Sequence, residues 1–215
     1  MSTKFKAFIF DLDGTVGDTL PLCISAFKKS IEPLLKQSLT DEQIIATFGP
    51  SEEGTIRQLV PDHHEEGTKQ YLVHYEHLHS MCPAVFPGIQ EILEELTRKE
   101  IKLGMVTGKG KYSTEISLRK FGIDQYFKIC ETGTPDGPDK VNGIRRIAPR
   151  LNIPLSESIY IGDAPSDIRY CREAGIPVIS AAWASTAQPE ELKALEPDYL
   201  FTSIEEFRKW IDQNI

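Results

Sequence analysis

From Pro87 onward, short apolar runs alternate with amphipathic stretches, and that alternation constrains the fold more than any other feature of this chain. Ile89 to Arg98 reads as an amphipathic helix, Ile101 to Val106 as a strand and Tyr112 to Lys120 as a helix. Tyr126 to Cys130 then reads as a strand, Val141 to Arg150 as a helix and Ser158 to Ile161 as a strand. The series continues with a helix over Asp167 to Ala174, a strand Pro177 to Ala181, a short helix near Glu190, a strand Asp198 to Phe201 and a closing helix. Strands separated by helices pair in parallel through crossover connections, with helices covering both sheet faces. The N-terminal run Phe8-Ile9-Phe10 supplies one more buried strand. The expected fold class is α/β, a doubly wound parallel sheet.

Residues 16 to 84 break this alternation. Leu20, Cys23, Ile24, Phe27, Ile31, Leu34 and Leu35 recur at helical spacing. Thr40 and Gln43 form a capping-box pattern ahead of a second helix, which Gly49-Pro50-Ser51 interrupts. Helices near Glu52 to Leu59 and from about His64 to His79 follow. The expected organisation is therefore a catalytic α/β core of 1-15 plus 85-215 carrying an all-helical insertion, 16-84, after its first strand.

Ligands in open parallel sheets bind beyond the carboxyl ends of the strands, so the residues after each strand matter most. After the first come Asp11-Leu12-Asp13-Gly14-Thr15. Alternate side chains of an extended segment share a face, so Asp11 and Asp13 can point into one space, and crowded carboxylates need a cation or a proton. One such group can attack phosphorus while the other carries a proton. After the second strand stand Thr107-Gly108-Lys109, a hydroxyl and backbone amides able to hold a phosphate, although Thr107 could equally just end the strand. Lys140 stands at a helix start, where a solvated lysine is the plainer reading. Gly162-Asp163 with Asp167 ends another strand; Asp167 could also cap the next helix. Carboxylates from Asp11 and Asp163 with a backbone carbonyl at Asp13 suit Mg²⁺, a hard cation that prefers oxygen.

These four segments resemble, in order, the signature motifs of the haloacid dehalogenase-like hydrolase superfamily, and the resemblance spans nearly the whole chain. Within it, the chain is similar to the phosphoglycolate phosphatase-like branch with a small helical cap. It departs from many relatives in having Val141, rather than proline, after the lysine of the third motif. The resemblance implies a nucleophilic Asp11, Asp13 as acid and then base, Thr107 and Lys140 on the phosphoryl group, Asp163 completing a magnesium site and Asp167 behind it. It implies Mg-dependent hydrolysis of a small phosphorylated metabolite through an aspartyl phosphate, with phosphoglycolate the first substrate to consider. Inorganic pyrophosphatase and β-phosphoglucomutase-type mutase activities are enzymatic alternatives, and a catalytically silent regulatory protein is an alternative of another class. Gly108, Lys109, Ser51 and Arg57 are candidates for substrate binding.

Composition narrows the partners. A formal net charge of -8 argues against nucleic acid and anionic membranes, which reward clustered Lys and Arg. No apolar run approaches the roughly 20 residues of a membrane span, and the N-terminus shows no signal pattern, so a cytoplasmic monomer or weak homodimer is expected. Four cysteines without CxxC spacing imply reduced thiols. All five histidines fall between His63 and His79; His74 and His77 lie one helical turn apart, but a solvated helix face is the simpler reading. Asp18 is a candidate helix cap and Trp183 a packing residue.

Overall fold

The computed structural model describes residues 5–215. Its centre is a six-stranded sheet of β1 (Ala7–Phe10), β2 (Lys102–Val106), β3 (Cys130–Glu131), β4 (Ser158–Gly162), β5 (Val178–Ala181) and β6 (Tyr199–Phe201). All neighbours are parallel, in the order β3-β2-β1-β4-β5-β6. β1 shows how an unbroken apolar strand is used. Phe8 and Phe10 enter the core on one face, Ala7 and Ile9 enter a second core on the other, and all four are fully buried. Strands buried on both faces read as continuous apolar runs rather than as alternation.

The helices α5 (Ile89–Arg98), α6 (Lys111–Phe121) and α10 (Ile204–Asn214) contribute Ile92, Ile116 and Phe207 to the first core. The second core receives Ile144 and Ile147 from α7 (Lys140–Leu151), Ile168 from α8 (Pro165–Ala174) and Leu192 from α9 (Pro189–Ala194). Truncating one such fully buried residue, Ile9 for instance, to alanine costs about 2–5 kcal/mol.

The expected strand Tyr126 to Cys130 is corrected to two residues, Cys130 and Glu131. Tyr126 instead donates its N–H to Ile123 in a turn, and Phe127 packs edge-on against Phe10 at 5.9 Å. The start of the apolar run buries side chains without strand pairing, and the backbone joins β2 only from the Ile129 carbonyl, which accepts the Met105 N–H at 3.0 Å.

The inserted segment is helical as expected: α1 (Leu20–Leu35), α2 (Asp41–Ile45), α3 (Glu52–Leu59) and α4 (His64–Leu78). Thr40 and Gln43 do form the reciprocal cap, with N···O distances of 3.2 and 2.8 Å. α1 and α4 meet through Phe27 and Tyr71, whose ring centroids lie 4.6 Å apart. The segment's two connections meet where the Phe86 N–H donates to the Val16 carbonyl at 2.9 Å. Asp18 does not cap α1, whose N-cap residue is Thr19. All four cysteines are free thiols. Among the described residues no helix is long and apolar enough to cross a membrane.

Candidate active site

Strand order reverses at β1, which pairs with β2 on one side and β4 on the other. The diverging connections open a crevice at its carboxyl end. Asp11, one residue beyond β1, is buried there; Leu12 donates its N–H to Oδ1 at 2.7 Å and Lys140 donates to Oδ2 at 2.5 Å. Lys140 is the first residue of α7 and donates also to Asp167 Oδ1 at 2.5 Å. Asp167 is fully buried and its other oxygen accepts the Ala164 N–H at 3.0 Å. Asp167 is not an N-cap, since α8 starts at Pro165 and Asp167 lies inside the first turn, its carboxylate folded back onto Ala164.

Asp163 follows β4 and accepts from Thr15 at 2.9 Å. Gly14, at φ +74°, explains the closeness of this approach: a Cβ there would lie 2.2 Å from Asp163 Oδ2. Oxygens of Asp11, Asp163 and Asp167 all lie within 4.8 Å of one another. Three carboxylates around one lysine leave excess negative charge. Burial pushes the Asp11 carboxyl up to about 6, against the pull of Lys140. Burial, then Asp11 and Asp167, push Asp163 well above the usual carboxylate range. Burial opposes the Lys140 charge too, but Asp11 and Asp167 outweigh it and hold the ammonium well above its ordinary value. A hard-oxygen set with surplus charge fits a divalent cation.

The Asp13 carboxylate points away from that cluster, taking a short hydrogen bond from Thr19 and facing Lys109 Nζ at 3.3 Å. Thr107 is buried beyond β2, and its Oγ1 accepts the Lys109 N–H at 3.3 Å. Thr107, Gly108, Lys109, Lys140 and the acids Asp11, Asp13 and Asp163 line one cavity of about 410 Å³. The helical segment closes its other side through Phe27, Phe48 and Pro50. Trp183 packs on Phe207 and donates to the Thr15 carbonyl at 3.0 Å, bracing the loop that carries Asp11 and Asp13.

Two expected substrate contacts do not reach this cavity. Arg57 is exposed and held at 2.7 Å by the Pro135 carbonyl and at 2.9 Å by Asp136, both outside the wall. Ser51 is buried beside it, with its backbone N–H on Thr134 and its hydroxyl unpartnered, so it neither lines the cavity nor caps α3 through its side chain. Among the described residues His74 and His77 join no metal-ligand group, while His79 is buried against Phe121 and Ser117.

Sequence reasoning missed Glu52, Cys23 and Tyr75. Lys109 is the centre around which they gather. Its Nζ lies 3.2 Å from Glu52, 3.1 Å from Cys23 Sγ and 4.4 Å from the Tyr75 ring centroid. Burial opposes that charge, and Asp13 leads the groups that hold the ammonium well above its ordinary range. The Glu52 carboxylate also accepts from the Gly110 N–H at 2.5 Å and from Ser113 at 2.6 Å. A glutamate opening a helix is a common sequence feature, and only the fold brings it opposite a lysine 57 residues on.

A parallel sheet of this order, with acids and a lysine gathered beyond its central strands and helices of the inserted segment over them, is a doubly wound α/β fold with its site at the point where strand order reverses. The chain belongs to the haloacid dehalogenase-like hydrolase family, whose model matches residues 8–181. It is 30% identical over 204 residues to pyrophosphatase PpaX of Listeria innocua, covering 93% of each protein. A predicted phosphoglycolate phosphatase from Haemophilus somnus shares the fold at 20% identity and TM-score 0.81, over 98% of this chain and 100% of that one. A haloacid dehalogenase-like family hydrolase from Streptococcus pneumoniae is 25% identical with TM-score 0.77, over 97% and 99%.

Proposed function

We propose that this protein is a Mg²⁺-dependent phosphatase that hydrolyses a small phosphorylated metabolite through an aspartyl-phosphate intermediate. The observation that carries the reading is the Lys140 ammonium held at 2.5 Å by both Asp11 and Asp167, with Asp163 in the same cluster. Asp11 is thereby fixed in position, and an oxygen of its carboxylate attacks phosphorus. The P–O bond to the leaving group breaks, and the departing oxygen takes a proton from Asp13. Asp13, now ionised, accepts a proton from water as that water attacks phosphorus, which returns Asp11 and releases inorganic phosphate. Lys140 uses two of its three N–H groups on Asp11 and Asp167 and keeps the third for a phosphoryl oxygen. The Thr107 hydroxyl and the Gly108 amide take the other oxygens. Asp11, Asp163 and the Asp13 carbonyl would hold Mg²⁺, which neutralises phosphoryl charge when bound.

In this reading residues 1-15 with 85-215 perform the chemistry and 16-84 close over it. The protein acts in the cytoplasm as a monomer or weak homodimer. Pyrophosphate is a second substrate to weigh, because relatives of this length are named pyrophosphatases. The test is phosphate release from a panel containing phosphoglycolate, pyrophosphate and an aryl phosphate, with Mg²⁺ and with chelator. Asp11→Asn should lower release on the order of 10³-fold or more with the fold intact, and chelator should stop it. Turnover near the parent rate in either case would refute the mechanism.

A further inference from the structure

The wall of the active-site cavity has two cationic side chains among the described residues, Lys109 and Lys140. They differ in what they have left to give. An ammonium has three N–H donors. Lys109 faces three partners, Asp13 at 3.3 Å, Glu52 at 3.2 Å and Cys23 at 3.1 Å, while its fourth neighbour is the Tyr75 ring. Glu52 is itself immobilised by Gly110, Ser113 and, at 3.4 Å, Tyr71. With the cap seated, Glu52 alone balances the Lys109 ammonium, which therefore has no net charge to offer. Asp139, also in the wall, is matched by Arg146 at 2.7 Å. Arg57, the cation the cap could have supplied, is turned outward onto Asp136.

What the cap presents instead is apolar. Phe27, Phe48, Pro50 and, from the core, Pro138 line the cavity away from Asp11. Phe27 and Phe48 stand 5.8 Å apart; Phe27 is buried, while Phe48, which also lines the cavity, is 41% exposed. Leaving an aromatic face uncovered is unfavourable until something apolar covers it.

We infer that Glu52 sets the substrate class of this site: by saturating Lys109 it leaves the leaving-group side without a free cation, so the site takes phosphate monoesters of uncharged alcohols with an apolar face and rejects a second anionic group. The inference rests on the phosphatase reading above and runs against pyrophosphate and phosphoglycolate as preferred substrates. Glu52 acts through Lys109 and is a positioning residue. Placing a second phosphate or carboxylate beside a paired lysine juxtaposes it with Glu52, a like-charge penalty of the kind that interfaces use to refuse wrong partners.

The test compares kcat/KM for phenyl phosphate, 2-phosphoglycolate and pyrophosphate with Mg²⁺ in the parent protein and in Glu52→Gln, which keeps the side-chain volume and an acceptor oxygen. The parent should prefer phenyl phosphate by roughly tenfold or more, and the variant should shift the ratio toward both anionic substrates by roughly tenfold, chiefly through KM. Because the comparison is a ratio between proteins, the substrates' intrinsic reactivities cancel. Inhibition of the parent by methylenediphosphonate, measured against inorganic phosphate, gives a reading that needs no variant: it should bind no more tightly than phosphate. A ratio within threefold of the parent's in Glu52→Gln, or methylenediphosphonate binding more than tenfold tighter than phosphate, would overturn the inference while leaving the phosphatase reading in place. Release of phosphate from none of the three substrates would overturn both.

Discussion

Asp163→Asn should make the metal-free protein more stable while destroying its activity. In the folded chain, carboxylate oxygens of Asp11, Asp163 and Asp167 lie within 4.8 Å of one another, and Lys140 pairs directly with Asp11 and Asp167 but not with Asp163. At that separation and an effective dielectric near 20, each like-charged pair costs ~3.5 kcal/mol. Asp163 repels two neighbours and is attracted by Lys140, which leaves about one pair uncompensated. Solvent at this half-buried side chain and partial proton uptake reduce the net penalty to about 2 kcal/mol. The amide keeps the acceptor that Thr15 uses and loses the charge. A chain of this size moves its melting point by about 2–4 °C per kcal/mol, so the variant should melt about 4–8 °C above the parent in chelator. Calorimetry with and without Mg²⁺ checks both halves of the argument: the parent should gain stability from the ion and the variant should not. A variant no more stable than the parent in chelator, or a parent indifferent to Mg²⁺, would refute the charge accounting.

Arg57→Ala removes an exposed ion pair, so unfolding should shift by less than about 1 kcal/mol. Its kcat/KM should change equally for all substrates, and a loss confined to one of them would put Arg57 back at the site. His79→Gln addresses pH. Burial lowers the His79 pKa below its ordinary 6.5, so the unfolded chain takes up the proton first as pH falls. The parent's stability is therefore unaffected by this group above about 6.5 and is lost between there and the lowered folded value. Denaturant titrations across that range should show the parent losing ground to the variant on acidification, and a constant difference would contradict the sign.

The helices of the insertion were legible because each carried its own punctuation: the Thr40–Gln43 cap, the break at Gly49-Pro50 and the apolar stripe from Leu20 to Leu35. β1 was legible as a run whose both faces are buried. The edge strand was not, since Tyr126 and Phe127 are apolar for packing rather than pairing, and hydrophobicity does not distinguish the two uses. At the site, Asp11, Lys140 and Asp163 stood out because each follows a strand or opens a helix at the reversing edge. The register of Asp167 was harder: Pro165 can start a helix as well as precede one, and that moved the aspartate from cap to first turn. Arg57 and Ser51 lie in or close to the break at Gly49-Pro50-Ser51, yet the direction of a side chain on a short helix depends on the loop at 134–138 that packs against it. Glu52, Cys23 and Tyr75 come from three separate helices and converge only in the folded protein.

The tie between Phe86 and Val16 has a mechanical consequence. Because the segment's two connections are tied side by side by one hydrogen bond, a swing about that tie would require only its other contacts with the core to part, those of Ser51 with Thr134, Glu52 with Gly110 and Ser113, and Tyr75 with Ser117 among them. Swinging out would carry Glu52, Cys23 and the Phe27–Phe48 wall away together and return to Lys109 its donors, whereas Asp11, Lys140, Asp163 and Asp167 are all rooted in the sheet and its own helices and would keep their spacing. In the proposed mechanism such an opening would part the leaving-group side of the pocket while sparing the residues assigned to the phosphoryl group, so that product could depart and water arrive without the acids and their lysine being reassembled for each turnover.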